Sequence, residues 1–425
     1  MAKPLIRSIK GTHDILPDQS WRWQQIENTV RDFMRRFGYR EIRTPVFERT
    51  ELFARGVGQE TDIVSKEMYS FVDKSGNNLT LKPEVTASVI RAYLQHNLGR
   101  QSPMTKLYYL DRAFRQERPQ AGRYRQHHQF GVEAIGSPHP ETDAEVISIA
   151  YGILKELGLS ELELRLNSIG SQNSRTNYRR ALKAFLKPHL PKLTETSRRR
   201  FDTNPLRILD TKVPHEIEIL KDAPILTDYL TPEDAEHFEA VKTLLQTLGI
   251  PFVLDSRLVR GLDYYTRTTF EITSSGLGAQ NALCGGGRYD NLVETLGGKQ
   301  TPAIGFAAGM ERVLLALESD TDKTPPETID LYFVCLDEYA RPTVMKLTNK
   351  LRSLGFSVET DLLRRSLKAQ LREANRLHAR MALIVGETEF QNQTVQVKDL
   401  TTAEQKSVNW DSLVDYISRL NFNSE

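Results

Sequence analysis

Arg112, Arg115, Arg118, Arg123 and Arg125 stand in one short stretch of this 425-residue chain, with Glu117 the only acid among them. Guanidinium groups are costly to bury without partners, so packing does not account for five of them. Their planar forks suit phosphate, which they grip through paired hydrogen bonds; a solvated charged turn is the other reading open to them. On either side lie Tyr108–Asp111 and Gln129–Gly136, apolar-alternating segments that predict two antiparallel strands around an arginine-bearing loop. Three further features sit where chemistry is possible. Glu84 follows Pro83 at the start of an apolar-periodic stretch, where a helix macrodipole favours an anion; it either compensates the dipole or binds a ligand ammonium. Arg312, near the start of another predicted helix, gains nothing from that dipole and so hints at function. Gly285, Gly286 and Gly287 let backbone approach another group closely, or turn tightly.

The elements that must position these residues follow from periodicity. Ile26, Val30, Phe33, Met34 and Phe37 recur at spacings of three and four between Asp18 and Gly38, predicting an amphipathic helix with a stop signal. Its apolar face is core or dimer surface, and spacing favours core. Tyr39 to Thr44 reads as a strand ended by Pro45, which cannot donate to a ladder. Met68–Val72 and Asn78–Lys82 flank a turn and predict a hairpin; Pro83 then opens a helix with Glu84 in its first turn. Asp143 to Leu157 predicts a helix stopped by Gly158, and Leu162 to Leu166 a strand. Residues 171–250 turn helical and charged, an insertion between strands of one sheet, whose run Arg198, Arg199, Arg200 reads as a solvated face. Strand patterns resume at Pro251 and continue through Arg257–Thr273 and Asn281–Arg288. A short helix is expected from Tyr289 to Leu296, a strand over Ala303–Phe306, and a helix from Gly309. Ser319 to Thr328 is polar and linker-like. Beyond it strands alternate with helices, the pattern of a compact α/β domain. Between Arg341 and Arg380 ten Lys or Arg stand against three Asp or Glu, a local net of +7 that suits RNA.

Bulk properties narrow the class. A formal charge of only +2 puts any nucleic-acid contact on local patches, not on a global basic field. Two cysteines, Cys284 and Cys335, make neither a disulfide framework nor a spaced metal site, which fits a reducing interior. No run of about 18 apolar residues and no charged-then-apolar leader is read. A cytoplasmic protein of two or three domains, without membrane contact, is expected.

Taken together, FRQE with its arginine-rich loop, GFAAGMER, LKPEVTA, LVRGLDYYT, CGGGRYD and the tail domain resemble the histidyl-tRNA synthetases, a branch of the class II aminoacyl-tRNA synthetases, along essentially the whole chain. The first helix, strand and Pro45 match the first class motif, Tyr108–Gly136 the second and GFAAGMER the third. LVRGLDYYT and CGGGRYD are particular to the histidyl branch. The resemblance implies an α/β protein. An α+β catalytic domain over residues 1–318 would hold an antiparallel six-stranded sheet, flanking helices and the helical insertion at 171–250. A linker at 319–328 would lead to an α/β anticodon-binding domain with a mixed sheet at 329–425. A homodimer is implied, with the first helix and Pro45 at its interface.

The same resemblance implies ATP, L-histidine and histidine tRNA as substrates, Mg2+ arriving with ATP, and no fixed metal site in the protein. Histidine's carboxylate attacks the ATP α-phosphate, pyrophosphate leaves, and the adenylate passes histidine to the 3'-terminal ribose of the tRNA. A carboxylate is already ionised at pH 7, so the first step needs positioning and charge neutralisation rather than a general base. By resemblance the catalytic pair is Arg115 and Arg260, on opposite sides of the α-phosphate, with Arg123 and Arg312 toward the β and γ phosphates. Glu117 would touch adenine, and His127 stands where the family often stacks a phenylalanine on it. Glu84, Thr86 and Gln129 would hold histidine's α-ammonium and carboxylate, and Glu133 and Tyr265 its two imidazole nitrogens. Arg260 also belongs to the histidine site, Tyr264 and Tyr289 would line it, and Arg118 and Gln120 would meet the tRNA acceptor end. Lys82 and Val85 depart from the family's usual LRPEGTA, and Val85 predicts ordinary helical backbone there. A synthetase-like regulatory subunit of ATP phosphoribosyltransferase would lack the tail domain and erode the histidine loop, which stands intact here as LVRGLDYYT. A nucleic-acid scaffold built on the arginines would leave Glu133 and Tyr265 without a use.

Overall fold

The computed structural model describes residues 5–59, 61–275, 281–318 and 328–420. It divides into two compact units, Met1–Asp322 and Lys323–Glu425. The linker-like stretch at 319–328 lies, apart from Thr328, outside the described residues.

The first unit opens with helix α1 (Pro17–Phe37), ended by Gly38 at φ 74° in the left-handed region that glycine tolerates. Its Ile26, Val30, Phe33 and Met34 are buried within the unit's own core. The strand expected from Tyr39 to Thr44 shrinks to β1 (Arg40–Glu41). Then come β2 (Phe47–Arg49), α2 (Thr50–Gly56), β3 (Tyr69–Val72) and β4 (Asn78–Leu81), whose strands form a small sheet in the order β2-β4-β3. Helix α3 (Thr86–Gln95) starts later than Pro83 suggests, so Glu84 precedes the helix instead of lying in its first turn.

The arginine-bearing loop joins β5 (Thr105–Phe114) to β6 (Gln126–Ile135), which pair antiparallel from Thr105↔Ile135 to Phe114↔Gln126. After α4 (Pro140–Glu156) comes β7 (Leu162–Ser168). The insertion follows as α5 (Gln172–Leu186), α6 (Glu195–Thr203), α7 (Pro214–Ile219) and α8 (Pro232–Thr247), linked by short 3-10 segments. The chain returns through β8 (Val253–Leu254), β9 (Thr266–Ser274), β10 (Ala282–Arg288), α9 (Leu292–Thr295), β11 (Ala303–Gly309) and α10 (Met310–Glu318). Two expectations change here. Residues 257–265 form a loop, with the strand starting at Thr266, and the helix expected from Tyr289 is only the short α9.

The main sheet has the order β1-β5-β6-β11-β10-β9-β7-β8. The six strands from β5 to β7 pair antiparallel throughout, while the short β1 and β8 add parallel edges. Side chains alternate across such a sheet. Phe130 and Val132 of β6, Ile304 and Phe306 of β11, and Phe270 and Ile272 of β9 join Val146, Ile149 and Ile153 of α4 in one buried core. The opposite face of β6 and β11 therefore carries Gln129 and Glu133 beside Gly305 and Gly309, with Glu133 paired to Gly305 and Gln129 to Gly309.

The second unit is a mixed five-stranded sheet in the order β13-β12-β14-β15-β16. Its elements are β12 (Leu331–Cys335), α11 (Arg341–Ser353), β13 (Val358–Thr360), α12 (Leu367–Arg376), β14 (Met381–Val385), α13 (Glu387–Gln391), β15 (Thr394–Asp399), β16 (Gln405–Asn409) and α14 (Trp410–Ser418). Strands β13, β12 and β14 run parallel, β15 is antiparallel to β14, and β16 is antiparallel to β15. No helix among the described residues is long and apolar enough to cross a membrane.

Candidate active site

A cavity of about 600 Å3 opens on the sheet face that carries Gln129 and Gly305. Glu84, Thr86, Arg115, Glu117, Arg123, His127, Gln129, Arg260, Tyr264, Tyr265, Tyr289 and Arg312 all line it. These residues span more than two hundred positions in sequence, and the fold brings them to one hollow. Of the others singled out, Glu133 lies fully buried behind Thr86 and Tyr289. Arg118 and Gln120 are exposed on the loop, outside the cavity wall.

One end of the cavity is a polar pocket. Thr86 Oγ1 donates to Glu133 Oε1 at 2.6 Å, and the Tyr289 hydroxyl donates to the other carboxylate oxygen. Gly305, opposite on β11, leaves the space this carboxylate fills, since a Cβ there would collide with it. Burial pushes the Glu133 pKa up to about 8, and the two hydroxyl bonds only partly offset it. Glu84 reaches forward to accept from the Thr86 and Ala87 N–H groups, 2.9 Å each, so it caps α3 while lining the cavity. Tyr264 packs against Tyr265 and Tyr289, with ring centroids 4.7 and 5.6 Å apart. Gln129 Oε1 is buried and has no hydrogen-bond partner among the described residues, and a buried acceptor left open in a polar cavity is an invitation to a ligand donor.

The other end is cationic. Arg260 Nη1 donates to Glu271 Oε2 at 2.6 Å, while its buried Nε has no partner among the described residues. Arg115 Nε donates to the Pro83 carbonyl at 2.9 Å, which fixes its guanidinium beside the segment leading into α3. Arg123 Nη1 donates to Glu117 Oε2 at 3.3 Å, and Arg115 Nη1 stands 3.8 Å from Glu117 Oε1. Arg312 donates to the Gly122 carbonyl at 3.2 Å and the Ala282 carbonyl at 2.7 Å, pinning the arginine loop to α10. The loop itself closes on reciprocal backbone bonds between Gln120 and Arg123, 3.1 and 2.9 Å. Burial, then the charge of Arg115, lower the His127 pKa to about 3, so its ring is neutral at pH 7.

Two residues of this site are not singled out by the sequence. Glu271 holds Arg260 and faces Gly285 across the β9–β10 pair; a lone acid inside the apolar strand FEIT is the signal that points to it. Glu311 accepts from the His128 N–H at 2.9 and 3.0 Å, and lies 2.9 Å from its Nδ1, fastening α10 onto β6 beside His127. The triple glycine has a use at Gly285, where a Cβ would strike the Arg260 guanidinium. Lys82 proves to be structural: its fully buried Nζ donates to Asp111 Oδ2 at 2.5 Å and to Thr44 Oγ1 at 2.9 Å. Val85 has φ −104° and ψ −28°, ordinary right-handed backbone. Arg200 departs from the solvated reading of its run, since it donates to Asp62 and to the Arg207 carbonyl at 3.2 Å each.

Comparison with known proteins gives this cavity a context. A family model described as Histidyl-tRNA synthetase matches residues 11–313, and one described as Anticodon binding domain matches residues 330–420. A protein named Histidine--tRNA ligase from Caldanaerobacter subterraneus subsp. tengcongensis is 48% identical over 98% of this chain and 99% of its own length. One of the same name from Chloroherpeton thalassium is 52% identical, over 94% of each chain. The crystal structure of apo S. aureus histidyl-tRNA synthetase superposes with a TM-score of 0.83 at 39% identity, covering 97% of this chain and all of that one. Matched along nearly its whole length by sequence and by fold, the chain belongs to the histidyl-tRNA synthetase family.

Proposed function

We propose that the cavity is where histidine and ATP become histidyl-adenylate and where the terminal ribose of the tRNA then receives histidine. The overall activity is that of a histidine–tRNA ligase, an ATP-dependent aminoacyl-tRNA synthetase. The observation that carries the assignment of the site is the two-ended cavity: four arginines at one end, and at the other a buried carboxylate held by Thr86 and Tyr289.

Histidine enters with its imidazole toward Glu133 and Tyr265. Glu84, Thr86 and Gln129 take its α-ammonium and carboxylate, Gln129 Oε1 being an acceptor with a bond to spare, and Tyr264 and Tyr289 wall the ring. That leaves the histidine carboxylate facing Arg115 and Arg260, which flank the α-phosphate and offset the charge that gathers on it as pyrophosphate leaves. Arg123 and Arg312 take the β and γ phosphates, Glu117 the adenine edge, and the neutral His127 ring stacks on the base. Magnesium supplies further charge neutralisation when it arrives with ATP. It would be held mainly by phosphate oxygens. Arg118 and Gln120, exposed on the loop, meet the tRNA acceptor end.

The second unit is read as the anticodon-binding domain, with the basic stretch Arg341–Arg380 as its RNA face and residues 319–328 as the linker. A homodimer is part of the same reading. Exposed Val46, Phe47, Phe71 and Val72, with Phe47 and Phe71 in edge-to-face contact, give the small sheet an apolar surface that suits a second copy. The protein would work in the cytoplasm, where its tRNA is charged.

The assay is exchange of pyrophosphate into ATP by the purified chain, with each amino acid in turn. Exchange is expected with histidine and at background level with the others, because buried polar partners reject side chains that lack matching groups. Exchange driven by another amino acid, with none from histidine, would overturn the reading.

A further inference from the structure

The loop at 255–265 carries Arg260, Tyr264 and Tyr265 from β8 to β9 without forming helix or strand. Its backbone groups must find partners elsewhere, and two of its carbonyls find them in the helical insertion. Arg207, in the 3-10 turn Pro205–Ile208, donates through Nη2 to the Gly261 carbonyl at 2.5 Å. Arg175 of α5 donates through Nη1 to the Tyr265 carbonyl at 3.0 Å. Between these points Asn204 Nδ2 donates to Asp263 Oδ1 at 3.0 Å, with Arg207 Nε 3.7 Å from the same oxygen. The rest of the unit holds the start and middle of the loop: the Asp255 N–H donates to the Leu166 carbonyl of β7 at 3.0 Å, Asn167 Nδ2 donates to the Leu258 carbonyl at 3.0 Å, and the Asp263 N–H donates to the Val57 carbonyl, just past α2, at 3.2 Å.

Arg207 is well placed to hold rather than to bind. Its side chain is 12% exposed, and its own carbonyl is held by Arg200, which also reaches Asp62. Arg175, Asn204 and Arg207 are outside the cavity wall, so they act on a substrate only through the loop. Resting on the reading that Arg260 acts at the α-phosphate, we infer that Arg207 and Arg175 are positioning residues for adenylation. The insertion grips the histidine loop at the Gly261 and Tyr265 carbonyls, and thereby sets where Arg260 and Tyr265 meet the substrates. A misplacement of about 1 Å at a reacting group costs on the order of a hundredfold in rate, so the grip has leverage on chemistry it never touches.

The test is a double-mutant cycle on single-turnover histidyl-adenylate formation by the full chain. Arg207→Ala is expected to slow the step about tenfold alone, but less than about twofold when Arg260→Ala is already present, since coupled residues are not additive. Arg207→Lys should restore part of the rate. A wild-type rate in Arg207→Ala, or the same loss in both backgrounds, overturns the inference. Arg260→Ala with no effect of its own would instead overturn the site reading beneath it. Should Arg207→Ala fail to fold by circular dichroism, the second cycle decides. Arg175→Ala is expected to raise the histidine KM about fivefold and leave the ATP KM alone, an effect that vanishes on Tyr265→Phe. An equal rise in both backgrounds counts against the grip.

Discussion

Arg260→Ala is expected to lower the single-turnover rate of histidyl-adenylate formation by at least about tenfold, and on the order of a hundredfold if it acts as a preorganised donor. Arg260 has a cation already held in place by Glu271 at 2.6 Å and an Nε whose hydrogen is not yet used. A donor fixed before reaction costs no reorganisation when charge moves onto the α-phosphate. The substitution also leaves the Glu271 carboxylate facing the phosphates without its partner, which adds repulsion to the lost attraction. The effect should fall mainly on the rate constant, with a smaller change in histidine KM. Wild-type-like single-turnover rates would remove Arg260 from the mechanism.

The second large effect is expected at Glu133, and it has two halves of opposite sign. Glu133→Gln keeps an oxygen for the Thr86 hydroxyl but cannot ionise, so a partner of the histidine imidazole is changed in kind. Histidine-dependent kcat/KM should drop on the order of tenfold to a hundredfold, the scale of a lost charged hydrogen bond. Stability should move the other way. In the empty protein the Glu133 pKa is raised to about 8 because burial disfavours the anion. The folded state therefore keeps a proton that the unfolded chain has released near pH 4.5. The stability from this group is fully present below the unfolded pKa and declines as pH rises toward and through 8. Glutamine has no such decline, so thermal melts without histidine should show the variant gaining on the wild type between about pH 5 and 8. Loss of activity together with loss of stability at pH 8 would mean the residue is simply a packing element.

How much of this was legible in the sequence depends on the range of the interaction. The hairpin of Tyr108–Gly136 announces itself through alternation that local sterics impose, and α1 through its spacing and Gly38. Motif resemblance brings Arg115, Gln129, Arg260 and Tyr289 onto one site, and the fold gathers all four around one cavity. What local pattern does not carry is pairing between distant strands. That Glu133 lies opposite Gly305, with room for its carboxylate, depends on a register between β6 and β11 that neither segment encodes alone. The same holds for 257–265. Leu258, Leu262 and the tyrosines give it a strand-like look, but its Gly261 and Tyr265 carbonyls are bonded by the Arg207 and Arg175 side chains in place of a neighbouring strand. Glu84 illustrates a smaller shift. Its carboxylate meets the helix N-terminus as the dipole argument expects, although the helix begins beyond it. Arg312 shows why a charge on the wrong end of a helix is informative: its hydrogen bonds run to the Gly122 and Ala282 carbonyls, outside α10.

The assignment of the cavity's two ends is tested most directly by a crystal structure of the chain with a non-hydrolysable histidyl-adenylate analogue. The expected result is a phosphate mimic between Arg115 and Arg260, the imidazole within hydrogen-bond distance of Glu133 and Tyr265, and the base against His127. An analogue bound with its imidazole away from Glu133, or its phosphate mimic out of reach of both arginines, would contradict the account.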